Sequence, residues 1–74
     1  MSAKSYYVSA VLESTRFETD DMPFYTWYLW GVDEKGRETL VGDYSERHKE
    51  ARAARLALEA FGFTVASREL KASL

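Results

Sequence analysis

Residues Phe24 to Val32 (FYTWYLWGV) constrain this chain more than any other stretch. Five of the nine are aromatic, and both Trp residues of the protein lie among them. Alternate side chains of a β-strand point to opposite faces, so Phe24, Thr26, Tyr28, Trp30 and Val32 share one face and Tyr25, Trp27 and Leu29 the other. A strand in a two-layer domain needs one apolar face. This one has two, and the surplus points to a contact surface.

The remaining elements follow from local pattern. Ser5 to Glu13 alternates, with Tyr6, Val8, Ala10 and Leu12 against Tyr7, Ser9, Val11 and Glu13, which predicts a first strand. Residues 14–23 read as a long loop closed by Pro23, with Phe17 able to extend the strand. This loop is acidic: Glu13, Glu18, Asp20 and Asp21 stand against a lone Arg16. After Val32, Asp33-Glu34-Lys35-Gly36 is a hairpin signal leading into a third strand over Arg37 to Tyr44.

An Ala-rich helix is predicted over Glu46 to Phe61, with Ser45 as N-cap, Glu46 and Glu50 in the first turns, and Gly62 ending it as a C′ glycine. Its expected core stripe is Ala51, Ala54, Ala57, Leu58 and Phe61, and its small side chains complement large strand aromatics. Phe63 to Leu70 alternates again and predicts a fourth, shorter edge strand, against the competing reading of an extended tail that packs only Phe63 and Val65. Lys71 to Leu74 are expected to fray.

The expected fold is therefore α+β: a two-layer sandwich in the order β-β-β-α-β, spanning 1–74 as a single domain. An antiparallel three-stranded sheet carries one helix on one face. A fourth edge strand, if it joins through a right-handed crossover, runs parallel to strand one or strand three, and the place beside strand one, in the order 3-2-1-4, is the expectation taken. If the helix packs on Phe24, Tyr28, Trp30 and Val32, then Tyr25, Trp27 and Leu29 face outward with Tyr7 of the neighbouring strand. At roughly 150–250 Å² per aromatic side chain, that patch reaches a few hundred Å². Glu18, Asp20 and Asp21 would form its charged rim. The bland alternative folds the acidic loop or the C-terminal tail over the same patch.

Composition narrows the function. There is no Cys, so disulfides and thiolate metal sites are excluded. The N-terminal residues lack the apolar stretch of a signal peptide, and Phe24 to Val32 is too short to span a bilayer. These features, with a start at Met1, lead to the expectation of a complete small cytoplasmic protein. Ten Lys and Arg against twelve Asp and Glu leave a net charge of −2, without the basic surplus that phosphate neutralisation uses. No catalytic, nucleotide, cofactor or metal motif stands out. His48 is the single histidine, with Tyr44 and Arg52 rather than metal ligands four residues away.

The leading expectation is thus a non-enzymatic module that binds a protein partner or a second copy of itself through Tyr25, Trp27 and Leu29. In size and character it is like phage and mobile-element products that act as inhibitors or adaptors of a host macromolecule. No cofactor, membrane or small-molecule substrate is indicated. The alternative is nucleic-acid binding by the basic helix segment Arg47, His48, Lys49, Arg52 and Arg55, or by base stacking on the strand aromatics. Over residues 24–61 the element order resembles small integrase-type and plant-type DNA-binding domains, which insert a three-stranded sheet into the major groove. That resemblance implies contacts from basic or polar strand residues. Here strand two has no basic residue and strand three only Arg37.

Overall fold

A computed structural model describes residues 6–73. It contains β1 (Tyr7–Glu18), β2 (Phe24–Asp33), β3 (Glu38–Ser45), α1 (His48–Ala60) and β4 (Thr64–Ser73). The strands form one mixed sheet in the order β3-β2-β1-β4, antiparallel except for β4, which runs parallel to β1. The β-β-β-α-β order, the sheet order and the single covering helix are as the sequence predicts. No helix among the described residues is long and apolar enough to cross a membrane.

Two strands are longer than expected. Residues 14–18, predicted as loop, continue β1: Ser14, Thr15, Arg16 and Phe17 pair with Trp27, Thr26, Tyr25 and Phe24. Thr15 and Phe17 suit a pleated surface, and Phe17 stacks on Phe24 with ring centroids 5.0 Å apart. The connection shrinks to 19–23, a usual hairpin length, held by the Thr19 hydroxyl donating to the Met22 carbonyl. At the other terminus, Lys71 to Ser73 are not a frayed tail but the end of β4, paired with Arg16, Phe17 and Glu18. Leu74 lies outside the described residues.

The helix starts later than predicted. Ser45 ends β3 in a left-handed conformation, and its N–H and hydroxyl both donate to the Asp43 carboxylate. It is therefore unavailable as an N-cap, and Arg47 takes that position without a side-chain capping bond. Arg47 instead donates to the carbonyls of Asp43 and Tyr44, tying the strand end to the helix start. The C-terminus is as expected: Gly62 adopts φ +92°, its N–H donates to Glu59, and the Phe63 N–H donates to Leu58.

The helix covers the opposite face of β2 from the one predicted. Ala51, only 1% exposed, is buried with Ala10, Leu12, Leu29 and Val65, and Trp27, Tyr44, Ala54 and Leu58 pack around them. Trp27 and Leu29 thus lie under the helix, while Phe24, Tyr28, Trp30 and Val32 share the side without one. Close approach decides this. Gly31 leaves a gap filled by the Tyr7 ring, whose atoms lie 2.7–2.8 Å from where a Cβ would stand. Ala10 and Ala51 keep the remaining contact shallow.

A register shift between Tyr7 and Ser9 breaks the predicted alternation of β1. It brings Tyr7 over Gly31 and leaves Tyr6 and Val8 exposed. The helix stripe is correspondingly Ala51, Ala54 and Leu58. Ala57 is exposed, and Phe61, at the C-cap, is 84% exposed rather than core. With Ala51 this close to the sheet, Ala51→Leu should overpack the interface and cost about 1–3 kcal/mol, measured by urea unfolding. An unchanged midpoint would remove Ala51 from the contact that sets the helix height.

Candidate functional site

Strand pairing assigns the side of the sheet without a helix. β1 contributes Val11, Glu13, Thr15 and Phe17, and β2 contributes Phe24, Thr26, Tyr28, Trp30 and Val32. β3 adds Glu38, Leu40 and Asp43, and β4 adds Ala66, Arg68, Leu70 and Ala72. Among the described residues no second layer lies over this face. Leu40 (46%) and Leu70 (45%) are exposed on it, while Tyr28 and Trp30 are half-buried between neighbouring strands.

Arg68 organises the centre. From β4 it donates to Glu13 of β1 at 3.0 Å, and through both terminal nitrogens to Glu38 of β3 at 3.0 and 2.8 Å. Its guanidinium carbon lies 6.0 Å from the centre of the Trp30 ring. One side chain thereby links both edge strands across the two inner ones. Hydrogen bonding to Glu38, with help from Glu13, raises the Arg68 pKa, and Arg68 in turn lowers that of Glu38. Arg68 is the only cation that the pairing places on this face, and two carboxylates neutralise it.

The predicted protein-binding residues separate. Leu29 (6% exposed) is core, and Trp27 packs against it. Tyr7 covers Gly31 on the helix side. Tyr25 alone of the outward trio is exposed, but on the helix side, where the sheet runs beyond the helix. There Arg16 donates to its hydroxyl at 3.1 Å and pairs with Glu18 at 2.7 Å. Tyr25, Ser14, Arg16, Glu69, Leu70 and Lys71 line an open depression of about 340 Å³. Asp20 and Asp21 are exposed in the β1–β2 turn, at one end of the open face. Of the three residues expected as a charged rim, Glu18 is paired with Arg16 on the helix side, and Asp20 and Asp21 lie in the turn next to Phe17 and Phe24 rather than next to Trp27 and Leu29.

The basic helix segment is largely engaged. Arg47 pairs with Glu50 at 2.9 Å as well as holding the strand carbonyls. Arg55 donates to the Ser67 hydroxyl and the Val65 carbonyl and lies 3.7 Å from Glu59. His48 is exposed, and its Nδ1 accepts the Trp27 indole N–H in an edge-on contact. His48, Arg52, Arg55, Leu12 and Trp27 surround a small recess of about 100 Å³. Lys49 and Arg52 extend into solvent. Among the described residues no three His, Cys, Asp or Glu side chains converge as a metal site.

Sequence reasoning missed Arg68, Glu13 and Glu38 as a unit because they are far apart in the chain. The parallel register Glu13↔Arg68 is the signal that joins two of them. It becomes readable once the order β2-β1-β4 is accepted and Ser9 is aligned with Thr64.

Two measurements probe these assignments. Trp27→Ala should destabilise the fold by about 2–4 kcal/mol, because it removes a large ring from the helix interface; denaturant unfolding that matches wild type would return Trp27 to the surface. The second concerns acid. Arg68 holds the Glu38 carboxyl below its ordinary value, and the Arg37 amide, chief among several donors, does the same for Asp33. Stabilisation by such groups is complete above their unfolded values, about 4, and is lost as pH falls through the lower folded values. The melting temperature should fall across that acid range. Arg68→Gln should lower it at pH 7 and flatten the acid slope; an unaltered slope would break the link to Glu38.

No protein-family model, curated protein or solved structure matches this chain.

Proposed function

We propose that this chain is a non-enzymatic protein-binding module whose contact surface is the sheet face opposite the helix. The observation that carries this reading is the apolar field of Val11, Phe17, Phe24, Tyr28, Trp30, Leu40 and Leu70, half-buried between strands or exposed, over which the described residues lay no second layer. Large uncovered apolar fields on small proteins are characteristic of interaction sites, and Trp and Tyr are enriched among the residues that dominate binding energy.

Charge gives the partner a chemistry. Arg68 is neutralised by Glu13 and Glu38, Asp43 lies on the same face, and Asp20 and Asp21 stand at its end, while Glu18 is paired with Arg16 on the helix side. A protein with an apolar ridge flanked by Lys or Arg fits this distribution. The acidic groups would speed its approach more than strengthen the final complex. A nucleic acid would meet carboxylates where it needs cations. Blocking or bridging a host macromolecule, as small phage inhibitors and adaptors do, is a role consistent with such a surface.

The test compares two exposed leucines on opposite sides of the protein. Leu40 lies on the open face and Leu56, 62% exposed, on the helix. For a partner copurified with the tagged chain from its native cells, Leu40→Lys should weaken binding more than about tenfold, the scale of a lost central contact. Leu56→Lys should leave it within about twofold. The reverse order refutes the open-face reading. So does a nuclease-sensitive complex whose affinity falls steeply with salt and disappears in Arg52→Ala/Arg55→Ala.

A further inference from the structure

The two edges of the sheet differ in a way that the contact face does not explain. β3 is interrupted by register shifts between Trp27 and Tyr28 and between Leu29 and Trp30 of its partner, which leave Val41 and Tyr44 as extra residues. Such bulges protect an edge from further pairing. β4 has no such protection. It stays in unbroken register with β1 from Thr64 to Ser73, and its ten residues include neither Gly nor Pro. Arg55 occupies the Val65 carbonyl and the Ser67 hydroxyl near the helix. Beyond Ser67 no side chain of the described residues takes a hydrogen bond from, or gives one to, the β4 backbone.

We propose that β4 is a self-association edge, pairing antiparallel with β4 of a second copy about a two-fold axis through Leu70. Directly opposed residues in a continuous sheet must point to the same face, so the axis passes through a residue position. An axis through Arg68 sets two arginines against each other, and one through Glu69 sets two glutamates. An axis through Leu70 places Leu70 against Leu70 on the open face and Arg68 against Ala72. On the helix side it sets Glu69 against Lys71 of the second copy, and Lys71 against its Glu69. Opposite charges directly across an antiparallel pair are stabilising and like charges are not.

Geometry favours the same register. Pairing then runs over residues 67–73, the part of β4 beyond the Arg55 contact, where the sheet outruns the helix. The axis is perpendicular to the sheet, so both helices stay on one side and the two open faces merge into one. This association is independent of what the open face binds.

Charge exchange tests it. In low salt, light scattering or sedimentation should show the mass rising with concentration from monomer toward dimer. Glu69→Lys and Lys71→Glu should each weaken association about tenfold or more, since each converts two attractive pairs into repulsive ones. Mixing the two single variants should restore a heterodimer. The lysine introduced by Glu69→Lys in one copy then faces the glutamate introduced by Lys71→Glu in the other, and the unaltered Lys71 of the first faces the unaltered Glu69 of the second. The double exchange Glu69→Lys/Lys71→Glu should self-associate as wild type does. Both positions are exposed, and circular dichroism checks each variant's fold. A wild-type protein monomeric up to about 1 mM, where even a weak contact of about −4 kcal/mol would register, overturns the proposal. So do single variants that dimerise as well as wild type, or a mixture that does not recover.

Discussion

One helix can cover only one side of a sheet, and here it covers only part of that side. The 13 residues of α1 are about 20 Å long, whereas the 12 residues of β1 extend about 40 Å. The molecule measures 50 × 23 × 18 Å accordingly. Core burial is confined to the stretch beneath the helix, around Ala10, Leu12, Leu29, Ala51 and Val65. The open face, the Arg16–Tyr25 overhang and the part of β4 beyond Ser67 take no part in that burial. In a domain this small the core uses few residues, and the rest of the apolar content is left at the surface.

That constraint also explains which features were legible in the sequence. The element order follows from strand periodicity and the Ala-rich segment, and the right-handed crossover rule makes β4 parallel to β1 or β3; only the sheet itself selects β1. The orientation of β2 was not legible, because both of its faces are aromatic and periodicity cannot rank them. Small residues decide it. Gly31 admits the Tyr7 ring, and Ala10 and Ala51 let the helix approach. These positions carry no hydrophobic signal of their own, so a search for large apolar residues passes over them.

Local competition accounts for the other departures. Ser45 has the composition of a helix cap, but the Asp43 carboxylate takes its N–H and hydroxyl first, and the helix begins three residues later. Ser14 to Phe17 have the composition of a loop, yet they lie opposite Phe24 to Trp27, whose aromatic side chains hold the pairing. The irregularity between Tyr7 and Ser9 has no composition signature at all. It nonetheless exchanges Tyr7 for Tyr6 and Val8 on the helix side, and so moves one predicted binding residue into the packed layer.

The open face keeps its shape through the Arg68 network rather than through a second layer. Arg68 ties β4 and β3 across β1 and β2, and its guanidinium lies over Trp30, the largest ring on that face. An exposed ion pair contributes little to stability by itself. Glu13, however, is buried to 9% exposure, and its pairing with Arg68 avoids leaving an unpaired carboxylate at the sheet surface. The same contacts use the only cation that the described residues place on the face. The face therefore consists of aromatic and aliphatic area with carboxylates beside it. That combination separates it chemically from sheets that stack nucleotide bases, where free cations must accompany the rings.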